Sequence, residues 1–319
     1  MKRGAAAAVA FASVTLDDFH STDHAMTKCL ALARLAARTD LPILIVGESG
    51  TGKTHLAHAM HGSSSRSDGP FVAFNAAALS DTLVDSQLFG HERGAFTGAE
   101  RMVRGKFELA DGGTLFIDEI ADMSPAAQAK VLRAIEYGEF ERLGSETLQR
   151  ADVRVVSATH WPLGTFIAAE RFRKDLFYRI SGVTLTIPPL RERPDDLRSL
   201  IGSEIALASR KHGKTVTGLD RGALEFLLSY PWPGNLRELS RVIQTAVALS
   251  PDEIIRSDAI LPTPVVARAP EPALDGDLSL RTMERRHILA VLAKVGGNKR
   301  RAARALGLSR STLDRKLGA

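Results

Sequence analysis

Five short apolar runs, Leu41–Val46, Phe71–Asn75, Thr114–Asp118, Val153–Thr159 and Val183–Ile187, punctuate the N-terminal half of the chain. Each is bounded by Gly, Pro or Asp and has the length of a buried strand. Between them, segments such as Pro125–Tyr137 space their apolar residues at the helical period. Strands alternating with helices predict an α/β fold, a parallel sheet joined by right-handed crossovers and flanked by helices. From Pro194 onward the pattern turns helical throughout, over Asp195–His212, Asp220–Ser229 and Leu236–Leu249, as an all-α lid would. Pro262, Pro264, Pro270 and Pro272, with Ala and Gly between them, mark a linker. Helices resume near Leu280. The expected boundaries are a tail at 1–15, an α/β subdomain at 16–190, the lid at 191–262, the linker at 263–279 and a C-terminal module at 280–319.

Composition narrows the class. A chain of 319 residues with 44% hydrophobic content has room for two or three domains and a sizeable core. Its apolar runs are far too short to span a bilayer. Cys29 is the only cysteine, which rules out an internal disulfide and fits a reducing, cytoplasmic setting. Met1-Lys2-Arg3 followed by Ala5–Val14 resembles a signal peptide superficially, but alanine dominates its apolar part, and a frayed or weakly helical tail is expected. The net charge of +5 is unevenly spread. From Arg281 onward 11 basic residues face 2 acidic ones, whereas the preceding part holds 31 basic and 35 acidic residues. Such a balance suits a small nucleic-acid-binding module appended to a neutral engine.

The candidate chemistry begins at Gly47-Glu48-Ser49-Gly50-Thr51-Gly52-Lys53-Thr54, which fits G-x-x-x-x-G-K-[ST] and sits between an apolar strand and a helical stretch. Its glycines let backbone N–H groups curl around phosphate oxygens at a helix N-terminus. Lys53 would contact the β- and γ-phosphates and the Thr54 hydroxyl would ligate Mg²⁺. Asp118-Glu119 ends the third strand, where the Asp would hold Mg²⁺ and the Glu would polarise the attacking water. Asn75, at the end of its own strand, is a candidate to hydrogen-bond Glu119; an ordinary turn role stays equally open.

Between these halves lies Gly94-Ala95-Phe96-Thr97-Gly98-Ala99. Two glycines, three small residues and one aromatic make neither a packed helix nor a good strand. The segment suits a mobile loop that offers Phe96 and Thr97 to a partner.

These elements together resemble the AAA+ ATPases that activate sigma-54 RNA polymerase, the bacterial enhancer-binding proteins. The resemblance runs from about Leu16 to the C-terminus. Besides the motifs above it rests on Leu88–Glu92, Gly112–Glu119, Phe172–Arg179, Pro188–Arg193 and Trp232–Leu239. It implies ATP and Mg²⁺ as cofactors and a homo-oligomeric ring, a hexamer that is a dimer when inactive, with nucleotide bound between neighbouring subunits. Arg173 and Arg179 match the fingers that reach into the adjacent site, and Arg237 matches the lid arginine that senses the γ-phosphate. Thr159-His160 occupies the sensor position. His160 departs from the commoner Asn and brings a possible pH dependence, while a bland strand-end role stays open. Thr54 departs from a frequent Glu and restores the general P-loop hydroxyl. The 94–99 loop is expected to touch the sigma-54 subunit, with Gly94 and Gly98 as hinges, and Glu92 and Arg101 are candidates to couple it to Glu119 through ion pairs.

The basic end resembles a Fis-type helix-turn-helix from Gly297 to Leu317, with Gly307 stopping one helix and Ser309 capping the next. Ala302, Ala303, Leu306, Leu308, Leu313 and Leu317 are its expected core. Arg310, Ser311, Thr312, Arg315 and Lys316 would face the major groove or phosphates of double-stranded enhancer DNA. Lys299 and Arg300 would contact phosphates or stay solvated, as would Arg301 and Arg304. Asp314 stands where relatives often have Tyr, which lowers affinity unless its carboxylate points away. An apolar stripe on Leu280–Val295 suits dimerisation.

Other classes make other demands. A regulator whose ATPase domain serves oligomerisation alone would do without the hexapeptide. An unfolding or DNA-remodelling motor would need a threading aromatic loop or a helicase domain, and a kinase would need an acceptor domain; the sequence displays none of these. With about 15 residues ahead of the ATPase, control is expected from a separate protein, expression level or a hetero-partner, unless the chain is a fragment of a longer one.

Overall fold

The computed structural model describes residues 14–77, 80–260, 288–289, 291–292 and 298–318. The chain forms two compact units, Met1–Thr263 and Pro264–Ala319. In the first, helix α1 (His24–Ala37) leads into β1 (Ile43–Val46), followed by α2 (Lys53–Gly62), β2 (Phe71–Asn75) and α3 (Asp81–Phe89). A two-residue hairpin, β3 (Gly90–His91) with β4 (Val103–Arg104), precedes α4 (Lys106–Leu109) and β5 (Thr114–Asp118). Then come α5 (Pro125–Tyr137), a second hairpin of β6 (Glu139–Glu141) and β7 (Leu148–Arg150), β8 (Arg154–Thr159), α6 (Leu163–Ala168), α7 (Lys174–Ile180) and β9 (Val183–Thr186).

The central sheet runs β2-β5-β8-β1-β9 with every neighbouring pair parallel. Its central strands β5, β8 and β1 are buried on both faces and read as nearly unbroken apolar runs, whereas the edge strands β2 and β9 keep exposed positions. In β1, Leu44 joins the core on one face while Ile43 and Ile45 join the core on the other. The same division separates Leu115 and Ile117 from Phe116 in β5. Helix α5 starts where Ser124 accepts from Ala127 N–H and Pro125 presets the first turn, and it stops at Gly138 in the left-handed region (φ +68).

The lid comprises α8 (Pro194–His212), α9 (Arg221–Ser229) and α10 (Asn235–Leu249) around a separate apolar core. Trp232 is its largest fully buried side chain, and its indole N–H donates to Leu227 O at 2.9 Å. The lid is tied back to the chain's start by a buried node. Asp196 accepts from the Ser21 hydroxyl (2.7 Å), from Thr22 N–H (2.9 Å) and from the Arg193 guanidinium (2.7 and 3.0 Å). Burial alone would raise the Asp196 carboxyl, but hydrogen bonds from Ser21, Arg193 and Thr22 outweigh it and hold the group below the ordinary range. The folded-state pKa is depressed, so this stabilisation is complete above the unfolded carboxylate's pKa and is lost as pH falls through the folded one. Asp196→Asn should therefore destabilise the protein by about 3 kcal/mol at neutral pH, leaving Arg193 buried and uncompensated. Urea unfolding at stepped pH should show that deficit shrinking toward acid.

In the second unit, helix Lys299–Ala305 is capped by Asn298, Gly307 turns the chain at φ +66, and helix Arg310–Gly318 follows. Ser309 Oγ accepts from Thr312 N–H at 3.1 Å, which is the expected cap. Ala302, Ala303 and Leu313 are buried, with Leu306 packed against them. Ile288, Val291 and Leu292, assigned by sequence to a dimerisation stripe, pack into this small core. The rest of that stripe, the linker and most of the N-terminal tail lie outside the described residues.

Candidate active site

The phosphate loop occupies the turn from β1 into α2, and Gly50 and Gly52 adopt φ +81 and +100, which only glycine enters freely. Lys53 is buried, with its ammonium bonded to Gly47 O at 2.8 Å and Glu48 O at 3.2 Å and 3.7 Å from Glu119. Residues Ser49 to Leu56 line a cavity of about 1110 Å³ together with Asp118, Glu119 and Arg237. Parallel pairing of β5 between β2 and β8 is what delivers Asp118-Glu119 to the loop.

Asp118 is pushed above the usual carboxylate range, first by burial and then by the neighbouring charge of Glu119. The half-buried Asp118 carboxyl and the exposed Thr54 hydroxyl are hard oxygen donors of the kind that fits Mg²⁺. Both line the same cavity. When bound, that cation would neutralise charge shared between the β- and γ-phosphates.

Glu119 occupies the left-handed region (φ 53, ψ 47), an uncommon place for a non-glycine residue and one that holds strain beside its carboxylate. Its Oε2 accepts from His160 N–H at 3.2 Å and meets His160 Nδ1 at 2.7 Å. His160 packs on Trp161 with ring centroids 4.4 Å apart, and the indole N–H donates to Asp122 at 3.1 Å. Of the two roles left open for Asn75, contact with Glu119 or an ordinary turn, the structure shows the turn. Asn75 Oδ1 accepts from Ala77 N–H at 2.8 Å, forming an Asx turn, and His160 takes the place beside Glu119. Thr159 is reassigned. It is fully buried, its hydroxyl accepts from Trp161 N–H at 3.0 Å, and it lines no part of the cavity.

The far end of the cavity was not read from the sequence. Phe19, Met26, Leu30, Leu200 and Leu207 form apolar walls, with His20, Glu204 and Gln244 among them. Such walls suit a purine ring. Leu207 is 50% exposed and lies off the buried stripe of α8.

Arg173 and Arg179 sit on the exposed surface of α7 and line no part of their own chain's cavity. Arg173 pairs with Asp175 at 2.7 Å, and Arg179 donates to Ile135 O at 3.1 Å.

Gly94 to Ala99 forms a curled turn on the β3–β4 stem, closed by Gly94 N–H to Ala99 O (2.9 Å) and Ala99 N–H to Phe96 O (3.0 Å). Gly94 and Gly98 have φ +85 and +100 with open space around them, so conformation rather than crowding requires glycine there. Phe96 meets His91 edge-on at 5.0 Å, while Thr97 is exposed. A Cβ on Gly105 would lie 2.3 Å from Phe89 C, and one on Gly90 would lie 2.5 Å from Val103 O, so the arms of the stem cross backbone to backbone. The expected coupling of Glu92 and Arg101 to Glu119 is corrected: Glu92 pairs with Arg142 at 2.8 Å, Arg142 also holds Glu108 at 2.9 Å, and the ion-pair partners of Glu119 among the described residues are Lys53 and His160.

On the second unit, Arg300, Arg310, Ser311 and Arg315 are exposed and Thr312 and Lys316 half-buried. Lys299, a candidate for phosphate contact or solvation, bonds Asp314 at 2.9 Å, and Arg310 lies 3.9 Å from the same carboxylate. The Lys299 hydrogen bond holds Asp314 below the ordinary range.

The chain matches the Sigma-54 interaction domain over residues 19–186, the AAA+ ATPase lid domain over 191–274 and the bacterial regulatory protein, Fis family, over 279–319. The transcriptional regulatory protein ZraR of Klebsiella oxytoca is 45% identical over 296 residues, covering 92% of this chain and 67% of that protein. The Nif-specific regulatory protein of Klebsiella pneumoniae is 41% identical over 299 residues, covering 92% and 57%. This chain thus spans between about half and two thirds of these relatives. The crystal structure of NtrX from Brucella abortus in complex with ATP superposes with a TM-score of 0.70 at 33% identity, covering 94% of this chain and 68% of that one. The chain therefore belongs to the sigma-54 interaction family, as an AAA+ ATPase and sigma-54-dependent transcriptional regulator carrying a Fis-type helix-turn-helix.

Proposed function

We propose that the chain assembles into a cytoplasmic ring, a hexamer formed from inactive dimers, binds enhancer DNA upstream of a promoter and spends ATP to convert closed sigma-54 polymerase complexes into open ones. The observation that carries this reading is the Gly94–Ala99 turn. It hangs on a glycine-crossed stem in the same subdomain as the Asp118–Glu119 carboxylates, with Thr97 facing outward. In this account Lys53 and the loop N–H groups hold the polyphosphate, Thr54 and Asp118 hold Mg²⁺, and Glu119 takes the proton of the attacking water. Arg173 and Arg179, outside their own cavity, would complete a neighbour's site and stabilise charge on the transferring phosphoryl group. Phe96 and Thr97 would contact the sigma-54 subunit. The exposed basic face of helix Arg310–Gly318 would lie against enhancer DNA.

The test is ATP-dependent open-complex formation on a sigma-54 promoter, with the full chain and with a chain ending at Leu280. The shortened protein should still open the promoter at high concentration and should lose its dependence on upstream DNA. Promoter opening that needs no nucleotide, or none by the full chain under any assembly condition, would overturn the reading.

A further inference from the structure

The side chain of Glu48 lines no part of the nucleotide cavity, although its residue lies inside the phosphate loop. Its carboxylate is gripped by Arg191 through two bonds of 2.7 and 2.8 Å and accepts a third from Asn235 Nδ2 at 3.2 Å. Arg191 accordingly holds the Glu48 carboxyl below its ordinary range. The same Asn235 amide donates to Ser49 O at 3.0 Å, while Asn235 Oδ1 accepts from Leu190 N–H at 2.7 Å. Arg237, one turn into the lid helix, donates to Ser49 Oγ at 3.0 Å. A Cβ on Gly50 would lie 2.3 Å from Gly234 O. Three successive loop residues thus each touch the lid's entry turn. Asn235 is fully buried and sits at φ +50, a left-handed conformation that asparagine tolerates better than most residues.

We propose that Asn235 is a positioning residue that makes the lid and the phosphate loop one moving part, with Glu48 as its counterpart on the loop. Closure of the loop's backbone on a polyphosphate pulls on the Ser49 carbonyl and the Glu48 carboxylate. Both are bonded to Asn235, two residues before Arg237, so the pull sets where Arg237 stands relative to a terminal phosphate. Asn235 touches no substrate atom and acts through its neighbours. The inference rests on the ATPase assignment and adds to it how the lid distinguishes a triphosphate from a diphosphate.

Asn235→Asp keeps the acceptor for Leu190 but replaces the donated amide by an oxygen facing Glu48 and the Ser49 carbonyl. In the full chain its kcat should fall by about tenfold to a hundredfold, the size expected of a displaced charged group. Affinity for ADP should stay within about threefold, so the ratio of affinities for a slowly hydrolysed ATP analogue and ADP should collapse toward one. Adding Glu48→Gln supplies an amide to the new carboxylate with the polarity reversed, and the double variant should regain about tenfold in kcat over Asn235→Asp alone. Glu48→Ala, at a half-exposed side chain, should lose the same discrimination without unfolding, and settles the matter if Asn235→Asp does not fold. Wild-type discrimination in the Glu48→Ala or Asn235→Asp protein, a double variant no better than the single, or ADP and ATP affinities falling in parallel would each overturn the proposal. Absence of turnover in the wild-type chain would instead strike the ATPase reading itself.

Discussion

Glu119→Gln is expected to bind ATP and fail to turn it over. The substitution is isosteric, and an amide oxygen still accepts from His160 N–H and Nδ1, so the strained backbone at φ 53 and the pairing seen beside β8 survive. What is lost is the capacity to accept a proton. Positioned general bases contribute about 10²- to 10⁴-fold, and turnover should fall by that range while nucleotide affinity changes little. Single-turnover hydrolysis with separate measurement of nucleotide binding decides it. More than about a tenth of wild-type turnover would move the base elsewhere, because that loss lies below the range a positioned base supplies.

The second large effect separates fuel from work. Thr97 is exposed at the tip of a turn whose closing hydrogen bonds are backbone to backbone, so Thr97→Ala should leave fold and nucleotide site intact. ATP hydrolysis should remain within about twofold of wild type, as it does for surface changes away from a site. Promoter opening should fall by about fivefold or more, since one interfacial hydrogen bond of about 1–3 kcal/mol is at stake. Promoter opening retained in parallel with hydrolysis would remove the hexapeptide from the sigma-54 contact.

Much of the frame was readable from residues. Thr114–Asp118 takes up its expected span because a strand covered on both faces leaves an apolar run flanked by breakers, and the edge strand Phe71–Asn75 is marked by the same breakers although it is only partly covered. The phosphate loop was legible because left-handed glycines before a lysine leave few other conformations. The partner of Glu119 was not. Asn75 stands in register with Asp118 on one side of β5 and His160 follows β8 on the other, so only the side-chain orientations decide which one reaches it. The hairpin strands β3, β4, β6 and β7, of two or three residues each, are too short to show a period. The apolar walls at the far end of the cavity looked like ordinary core, since leucines that meet a ligand and leucines that meet each other have the same spacing. Lys299 and Asp314 are fifteen positions apart and meet only because one helix folds back on the next.

Where Gly90 and Gly105 cross, no side chain can be interposed without driving the two arms apart. On the proposed function, that crossing would act as a fulcrum. Beyond it the chain curls up and could pay out about 3.3 Å per residue if straightened, so a small rotation at the pinned base becomes a long sweep at the tip. On that reading the two glycines at the base would thereby set how far the tip travels, and bulk introduced at either should shorten that reach without altering Phe96 or Thr97.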